Sequence, residues 1–263
     1  MNILEKIVEH KRAEIAERKR SISVMELEQR AFFSRQPLSL KKFLLDQTRT
    51  GIIAEFKRKS PSKGIINERA AVAEVTAAYA LHGASGLSVL TDSHFFGGRL
   101  MDLEEARFNE VPILRKDFMI DEFQVIEARS AGADVILLIA ACLSPARVKS
   151  LAATARSLGM EVLLEIHQHS ELDHICDDID LVGVNNRDLR TFTVNVELSV
   201  DLGRQIPAEK IKISESGIGS VETIKYLKNA GFRGFLIGEN FMKQPEPSIA
   251  FASFVHQLKG GAL

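Results

Sequence analysis

From residue 51 onward, short runs of apolar and β-branched residues alternate with longer stretches in which apolar residues recur at helical spacing. The runs are GIIAEF from 51, GLSVLT from 86, VPILRK from 111, DVILLIA from 134, EVLLEI from 161, DLVGVN from 180, KIKISE from 210 and GFLIG from 234. Between them, ERAAVAEVTAAYALHG from 68, SPARVKSLAATARSLG from 144 and SVETIKYLKNAG from 220 read as helices, each opened by a capping or first-turn residue or closed by Gly. Strand then helix, repeated eight times across residues 51 to 258, predicts an α/β fold of the (β/α)8 TIM-barrel type. The competing arrangement is an open doubly wound sheet. No G-x-G-x-x-G follows the first run, and a count of eight fits closure.

The residues before the first run add an N-terminal helical extension. In MNILEKIVEHKRAEIAERKR, Ile3, Leu4, Ile7, Val8 and Ile15 share one helical face and charges cover the other, so a helix docked on the body is expected. No linker or second-domain signal interrupts the pattern. The expected organisation is therefore a single domain over 1–263, with the extension at 1–50 and the barrel at 51–258.

Composition narrows the function classes. The chain has 263 residues, 45% of them hydrophobic, which is ample for a closed core, and 34 basic against 35 acidic side chains leave a net charge of -1. Such a balance provides no field to attract nucleic acid or an anionic membrane, so an anionic ligand must be caught by local geometry. No apolar run approaches the ~20 residues of a membrane span, and the charged start does not resemble a secretory signal, so a cytoplasmic location is expected. Cys142 and Cys176 lie far apart without metal-ligand spacing. They read as free thiols in a reducing compartment, and a metal site is unsupported.

Strand parity locates candidate chemistry. In the first run Ile53, Glu55 and Lys57 share a face, while Ala54 and Phe56 share the other. Leu114 and Lys116 in the third run, Leu163 and Glu165 in the fifth, Gly183 and Asn185 in the sixth, and Ile213 and Glu215 in the seventh repeat the order of small or apolar then polar. Any one of these alone reads more readily as a solvated strand end or a structural ion pair. Five together, at the C-terminal end where barrel enzymes work, predict a catalytic pocket above an apolar floor. Gly217, Gly219 and Gly238, just after the seventh and eighth runs, stand where barrels commonly bind phosphate.

The segments AEFKRKSPSKG (54–64), LSVLTDSHFFGG (87–98), ILRKDFMID (113–121), LLEIH (163–167), VGVNNRDL (182–189) and ISESGI (213–218) together resemble indole-3-glycerol phosphate synthases. The resemblance runs in order from the N-terminal helix to the last strand. It implies conversion of 1-(2-carboxyphenylamino)-1-deoxyribulose 5-phosphate to indole-3-glycerol phosphate in tryptophan biosynthesis, with loss of CO2 and water and without metal or organic cofactor. It implies that Lys116 is the general acid, that Glu165 handles proton transfer in the dehydration with help from Lys57, and that Glu55 holds the lysines in place. Asn185, Arg187, Glu215 and Ser216 match substrate-contacting positions, Phe96 and Phe118 look like walls for the anthranilate ring, and Ser60, Gly217 and Gly238 look like phosphate contacts. Asp117 and Asp188 read as loop-holding residues. The expected partner is the phosphorylated small molecule alone, with the protein a monomer.

Two positions depart from the family's pattern. Glu239 stands after Gly238 where a serine is often found, placing an anion beside the presumed phosphate, and Arg99 stands where a serine is frequent and could offset it. Three other readings compete: phosphoribosylanthranilate isomerase, which needs a Cys near the first strand and an Asp near the fifth; a Schiff-base aldolase using Lys116; and a catalytically silent barrel that binds a sugar phosphate. The carboxylates around Lys116 oppose the neutral lysine an aldolase needs, and a silent binder has no use for the acid-base set.

Overall fold

In the computed structural model, residues 3–188 and 191–261 are described; Leu189, the last residue of VGVNNRDL, and Arg190 lie outside them. Each of the eight runs forms one strand: β1 (Ile52–Phe56), β2 (Gly86–Leu90), β3 (Ile113–Lys116), β4 (Val135–Ile139), β5 (Glu161–Ile166), β6 (Leu181–Asn185), β7 (Ile211–Glu215) and β8 (Gly234–Ile237). All pair in parallel, and β1 bonds to both β2 and β8, closing the barrel.

Three helices precede the barrel: α1 (Ile3–Ser21), α2 (Val24–Glu28) and α3 (Leu40–Leu45). Then α4 (Val72–Leu81) follows β1, α5 (Ser93–Phe96) and α6 (Leu100–Ala106) follow β2, α7 (Glu122–Ser130) follows β3 and α8 (Pro145–Ser157) follows β4. The second half continues with α9 (Glu197–Gly203) after β6, α10 (Val221–Asn229) after β7, and α11 (Glu239–Met242) and α12 (Pro247–Leu258) after β8. The expected boundaries have local causes. Ser144 and Ser220 accept backbone N–H bonds at the starts of α8 and α10, and Gly83, Gly159 and Gly231 take positive φ at the ends of α4, α8 and α10.

The eightfold strand-helix repeat fails once. After β5 the chain forms only a 3-10 turn, His169–His174. The segment HQHSELDHICDD has no apolar residues beyond Leu172, Ile175 and Cys176, too short a stripe to drive a full amphipathic helix.

Two apolar layers form, as strand parity requires. Ile53, Leu114, Val135, Leu137, Leu163, Leu181, Ile213 and Leu236 fill the barrel, while Ile52, Ala54, Phe56 and their equivalents pack outward against the helices. The extension closes both ends. Leu40 and Leu44 of α3 join the interior layer from the strands' N-terminal side. There β2 and β8 begin with glycines, and a Cβ on Gly86 would stand 2.7 Å from Leu40 Cδ1. At the other end α1 lies over the strand tips, placing Ile3, Leu4 and Ile7 against the cavity described next.

Candidate active site

The odd-numbered strands each put an apolar residue inside the barrel and a charged one two positions later. Ile53, Leu114, Leu163 and Ile213 make the floor, and Glu55, Lys116, Glu165 and Glu215 stand above it. The Lys116 ammonium lies 2.9 Å from Glu165 Oε2 and 2.7 Å from Glu215 Oε2. Lys57 forms the second pair, 2.6 Å from Glu55 Oε1. From β6, Asn185 donates to Glu165 Oε1 at 3.2 Å.

Even-numbered strands supply the room. A Cβ on Gly183 would fall 2.2 Å from Glu215 Oε1, and one on Gly238 would fall 2.4 Å from Glu55 Oε1. Two carboxylates thus fit inside the barrel because the neighbouring strands present no side chain at their level. Gly238, expected from the sequence to contact phosphate, has a steric task here.

Electrostatics divides the charged groups. Burial alone would lower the Lys116 pKa, but the carboxylates of Glu165, Glu215 and Glu55 outweigh it and hold the ammonium charged well above its ordinary range. Burial also opposes ionisation of Glu165, yet Lys116 and His167 bring it well below the usual carboxylate value. Glu215 goes the other way: burial and the Glu165 charge push it up to about 7 against the pull of Lys116. Two carboxylates on one ammonium cannot ionise with equal ease, so the proton resides preferentially on Glu215.

The cavity above this set measures about 390 Å³ and is lined by every residue expected to be catalytic or to contact substrate or phosphate, from Glu55 and Lys57 through Ser60, Phe96, Lys116, Phe118, Glu165, Asn185, Arg187, Glu215, Ser216 and Gly217 to Gly238. Phe96 and Phe118 stand with ring centres 6.0 Å apart. Ser60 belongs to a short hairpin, Lys59–Ser60 against Gly64–Ile65, and lines the cavity with Pro61 and Ser62. Ser216 and Gly217 both take positive φ at the tip of β7; at Gly217 a Cβ would meet Val194 at 2.3 Å, and at Ser216 the conformation is costly for a residue with a side chain.

Glu239 points toward Arg187, whose Nη2 lies 3.0 Å from its Oε2. The cation that meets this glutamate is therefore Arg187, whereas Arg99 is exposed at the start of α6, its backbone N–H bonded to Asp102. Asp117 holds its loop as expected: it accepts from Thr91 at 2.6 Å and from the Phe118 N–H at 2.8 Å. Asp188 accepts from the Thr191 N–H at 3.0 Å.

Three features of the site escaped the sequence reading. The cavity wall includes Ile3, Leu4 and Ile7, so α1 is part of the site as well as a docked helix. His167 continues the inward parity of Glu165, and its Nε2 lies 3.2 Å from Glu165 Oε1, with Glu171 3.6 Å from Nδ1. Burial disfavours its charge, but these two carboxylates raise its pKa to about 10. Lys11 sits in the apolar stripe of α1 between Ile7 and Ile15, fully buried. The signals were present, a histidine two residues beyond Glu165 and a lysine at i+4 from both isoleucines.

Comparison with known proteins agrees with this geometry. The family model for indole-3-glycerol phosphate synthase matches residues 4–254. An indole-3-glycerol phosphate synthase of Bacteroides thetaiotaomicron is 47% identical over 259 residues, covering 98% of this chain and 99% of that one. One from Acidithiobacillus ferrooxidans is 43% identical over 254 residues, covering 95% and 97%. Among solved structures, a chain of the tryptophan synthase a2b2 complex from Pyrococcus furiosus superposes with a TM-score of 0.61 at 15% identity, covering 81% of this chain and 98% of that one. The tryptophan synthase subunit alpha of Legionella pneumophila gives 0.61 at 12% identity, covering 84% and 97%. At such identities the structural likeness speaks to the barrel alone, whereas the family match and the relatives cover nearly the whole chain. The chain belongs to the indole-3-glycerol phosphate synthase family.

Proposed function

We propose that the barrel cavity carries out the family's carboxy-lyase reaction by general acid-base catalysis, with Lys116 as the acid that starts it. The observation that carries this reading is the Lys116 ammonium held between Glu165 and Glu215, at 2.9 and 2.7 Å, above the apolar floor and lining the cavity. In ring closure the aromatic carbon bearing the carboxylate attacks the ketone carbon, and Lys116 delivers a proton to the oxygen, making a hydroxyl. Loss of CO2 restores the aromatic ring. Departure of the hydroxyl as water takes up a second proton and leaves the adjacent carbon to lose one; Glu165, ionised beside Lys116 and His167, takes that proton, and Lys57 assists at the hydroxyl. Glu55 keeps Lys57 in place at 2.6 Å.

Around this centre, Phe96 and Phe118 together with Ile3, Leu4 and Ile7 hold the anthranilate ring. The ring's carboxylate must sit near cations before it leaves, which suits Lys57 and Arg187 at the cavity wall. Ser60, Gly217 and Gly238, from three different strand ends, take the phosphate. With Arg187 engaged by Glu239, the glutamate is neutralised at the rim. Acid, base and electrostatic roles are all filled by side chains, so the chemistry calls for no metal or organic cofactor, and one barrel domain acting as a cytoplasmic monomer suffices. No helix among the described residues is long and apolar enough to cross a membrane.

An aldolase mechanism is disfavoured by the charge on Lys116, since Schiff-base formation needs the free amine. The test is an indole fluorescence assay with the carboxyphenylamino-deoxyribulose phosphate on wild type and Lys116→Ala. The chain contains no Trp, so the product signal rises on almost no protein background. Wild type should produce indole fluorescence, and Lys116→Ala should bind the substrate but turn over about 10²- to 10⁴-fold more slowly, the usual worth of a general acid. Near wild-type turnover by the variant overturns the assignment of the acid, and a silent wild type that still binds substrate overturns the reaction.

A further inference from the structure

Lys11 is the one lysine of α1 that never reaches water. Its ammonium lies 2.9 Å from Asp92 Oδ2, 3.0 Å from Asp117 Oδ1 and 2.9 Å from Glu14 Oε2, and both aspartates are buried as well. Burial works against its charge, but Asp117, Asp92 and Glu14 overcome it and raise its pKa. An ammonium stripped of water needs several partners, and here two of them come from different barrel loops.

Those loops carry the two aromatic walls. Asp92 caps α5, its Oδ1 accepting the Phe95 N–H at 2.7 Å and the Phe96 N–H at 3.3 Å. Asp117 follows Lys116 directly and accepts the Phe118 N–H at 2.8 Å through the same Oδ1 that faces Lys11. Asp117 also leans on Arg115 at 3.1 Å, which in turn meets Glu127 at 3.0 Å. One turn earlier on α1, Ile7 lines the same cavity as Phe96 and Phe118.

We propose that Lys11 is a positioning residue for the reaction: it clamps α1 to the loops after β2 and β3, so that the apolar closure by Ile3, Leu4 and Ile7 and the placement of Phe96 and Phe118 are set by one buried cation. The proposal rests on the reading that these walls hold the substrate's ring. Lys11 itself touches neither substrate nor reacting atoms. Where wall contacts with the ring are made in the ground state and the transition state alike, loosening them raises KM and leaves kcat nearly unchanged.

The test compares the full chain with Lys11→Met and with the double variant Lys11→Met/Asp92→Asn. The single variant leaves Asp92 buried opposite a methyl group and should be less stable. The double variant removes that stranded charge, and asparagine still caps α5, so stability should return toward wild type. The expected result is a KM raised roughly tenfold in both variants with kcat within about threefold of wild type. Amide hydrogen exchange without ligand should be faster at Phe95, Phe96 and Phe118 in both. If KM and exchange recover in the double variant along with stability, Lys11 is merely structural and the proposal fails. Wild-type KM in a folded Lys11→Met protein overturns it too. Should wild type itself give no turnover, the catalytic reading fails, and the exchange rates alone then decide whether the clamp exists.

Discussion

At the scale of single residues, the unusual choices in this barrel are those that let charge live inside it. Gly183 and Gly238 show the cost of space most directly. A methyl at Gly183 collides with the far end of a flexible side chain, Glu215 Oε1 at 2.2 Å, and meets Leu163 at 3.2 Å. Gly183→Ala should therefore fold with a modest loss of stability, yet drive the Glu215 carboxylate off Lys116 and lower kcat by about tenfold to a hundredfold, as misplacement near a reacting group commonly does. Gly238→Ala is different in kind, because the new methyl meets Glu55 Cβ at 2.8 Å, close to the backbone of β1. It should lose activity and also about 1–3 kcal/mol of stability, the range for overpacking a filled interior. Denaturation and kinetics on the two alanines separate the cases: equal destabilisation of both would show that the Glu215 side chain has no freedom to move aside.

At the scale of elements, the barrel strands were legible because a period of two leaves an unmistakable trace. Ile53 with Glu55, Leu114 with Lys116, Leu163 with Glu165 and Ile213 with Glu215 carry the same inward pattern on four separate strands, so the site could be assembled without knowing how they pair. Stopping the parity at Glu165 concealed His167, although the same rule placed it on the same face. The extension was harder to read. Amphipathicity says that α1 docks, but which surface it covers depends on contacts between Lys11 and two aspartates some 80 and 106 positions away, and no local pattern encodes that. The same holds for α3, whose leucines plug the floor from the end opposite the site. Leu40→Ala should cost about 2–5 kcal/mol as a large-to-small change in a sealed core. KM and kcat of the folded fraction should stay at wild-type values, since the site lies at the far end of the strands. A shift in KM would show that floor and rim are mechanically coupled.

At the scale of the whole molecule, buried ionisable groups make stability a function of pH, and two of them act in the same direction. His167 has its folded pKa raised to about 10 from an ordinary 6.5. Below pH 6.5 both the folded and unfolded chains carry this proton and its stabilisation is fully present. Between 6.5 and about 10 only the folded chain binds it, so stability falls as pH rises, with a limiting slope of about 1.4 kcal/mol per pH unit. Glu215, raised to about 7 from 4.5, contributes in the same sense over a lower window: its stabilisation is present below 4.5 and is lost as pH climbs through 7. Glu165 and Asp117, whose folded pKa values are lowered, act oppositely, their contribution present at neutral pH and lost only in acid. Between about pH 7 and 9 the profile should therefore report His167 almost alone, before Cys142, whose thiol burial pushes up to about 12, and the lysines come into play. His167→Gln keeps a polar group near Glu165 and Glu171 but cannot take up a proton. Wild-type Tm should decline steadily from pH 6.5 to 10, and the variant should be less stable at pH 6.5 with a much flatter profile above it. The two curves converge near pH 10 if the buried imidazolium is the cause; parallel curves across that range would place the proton uptake on some other group.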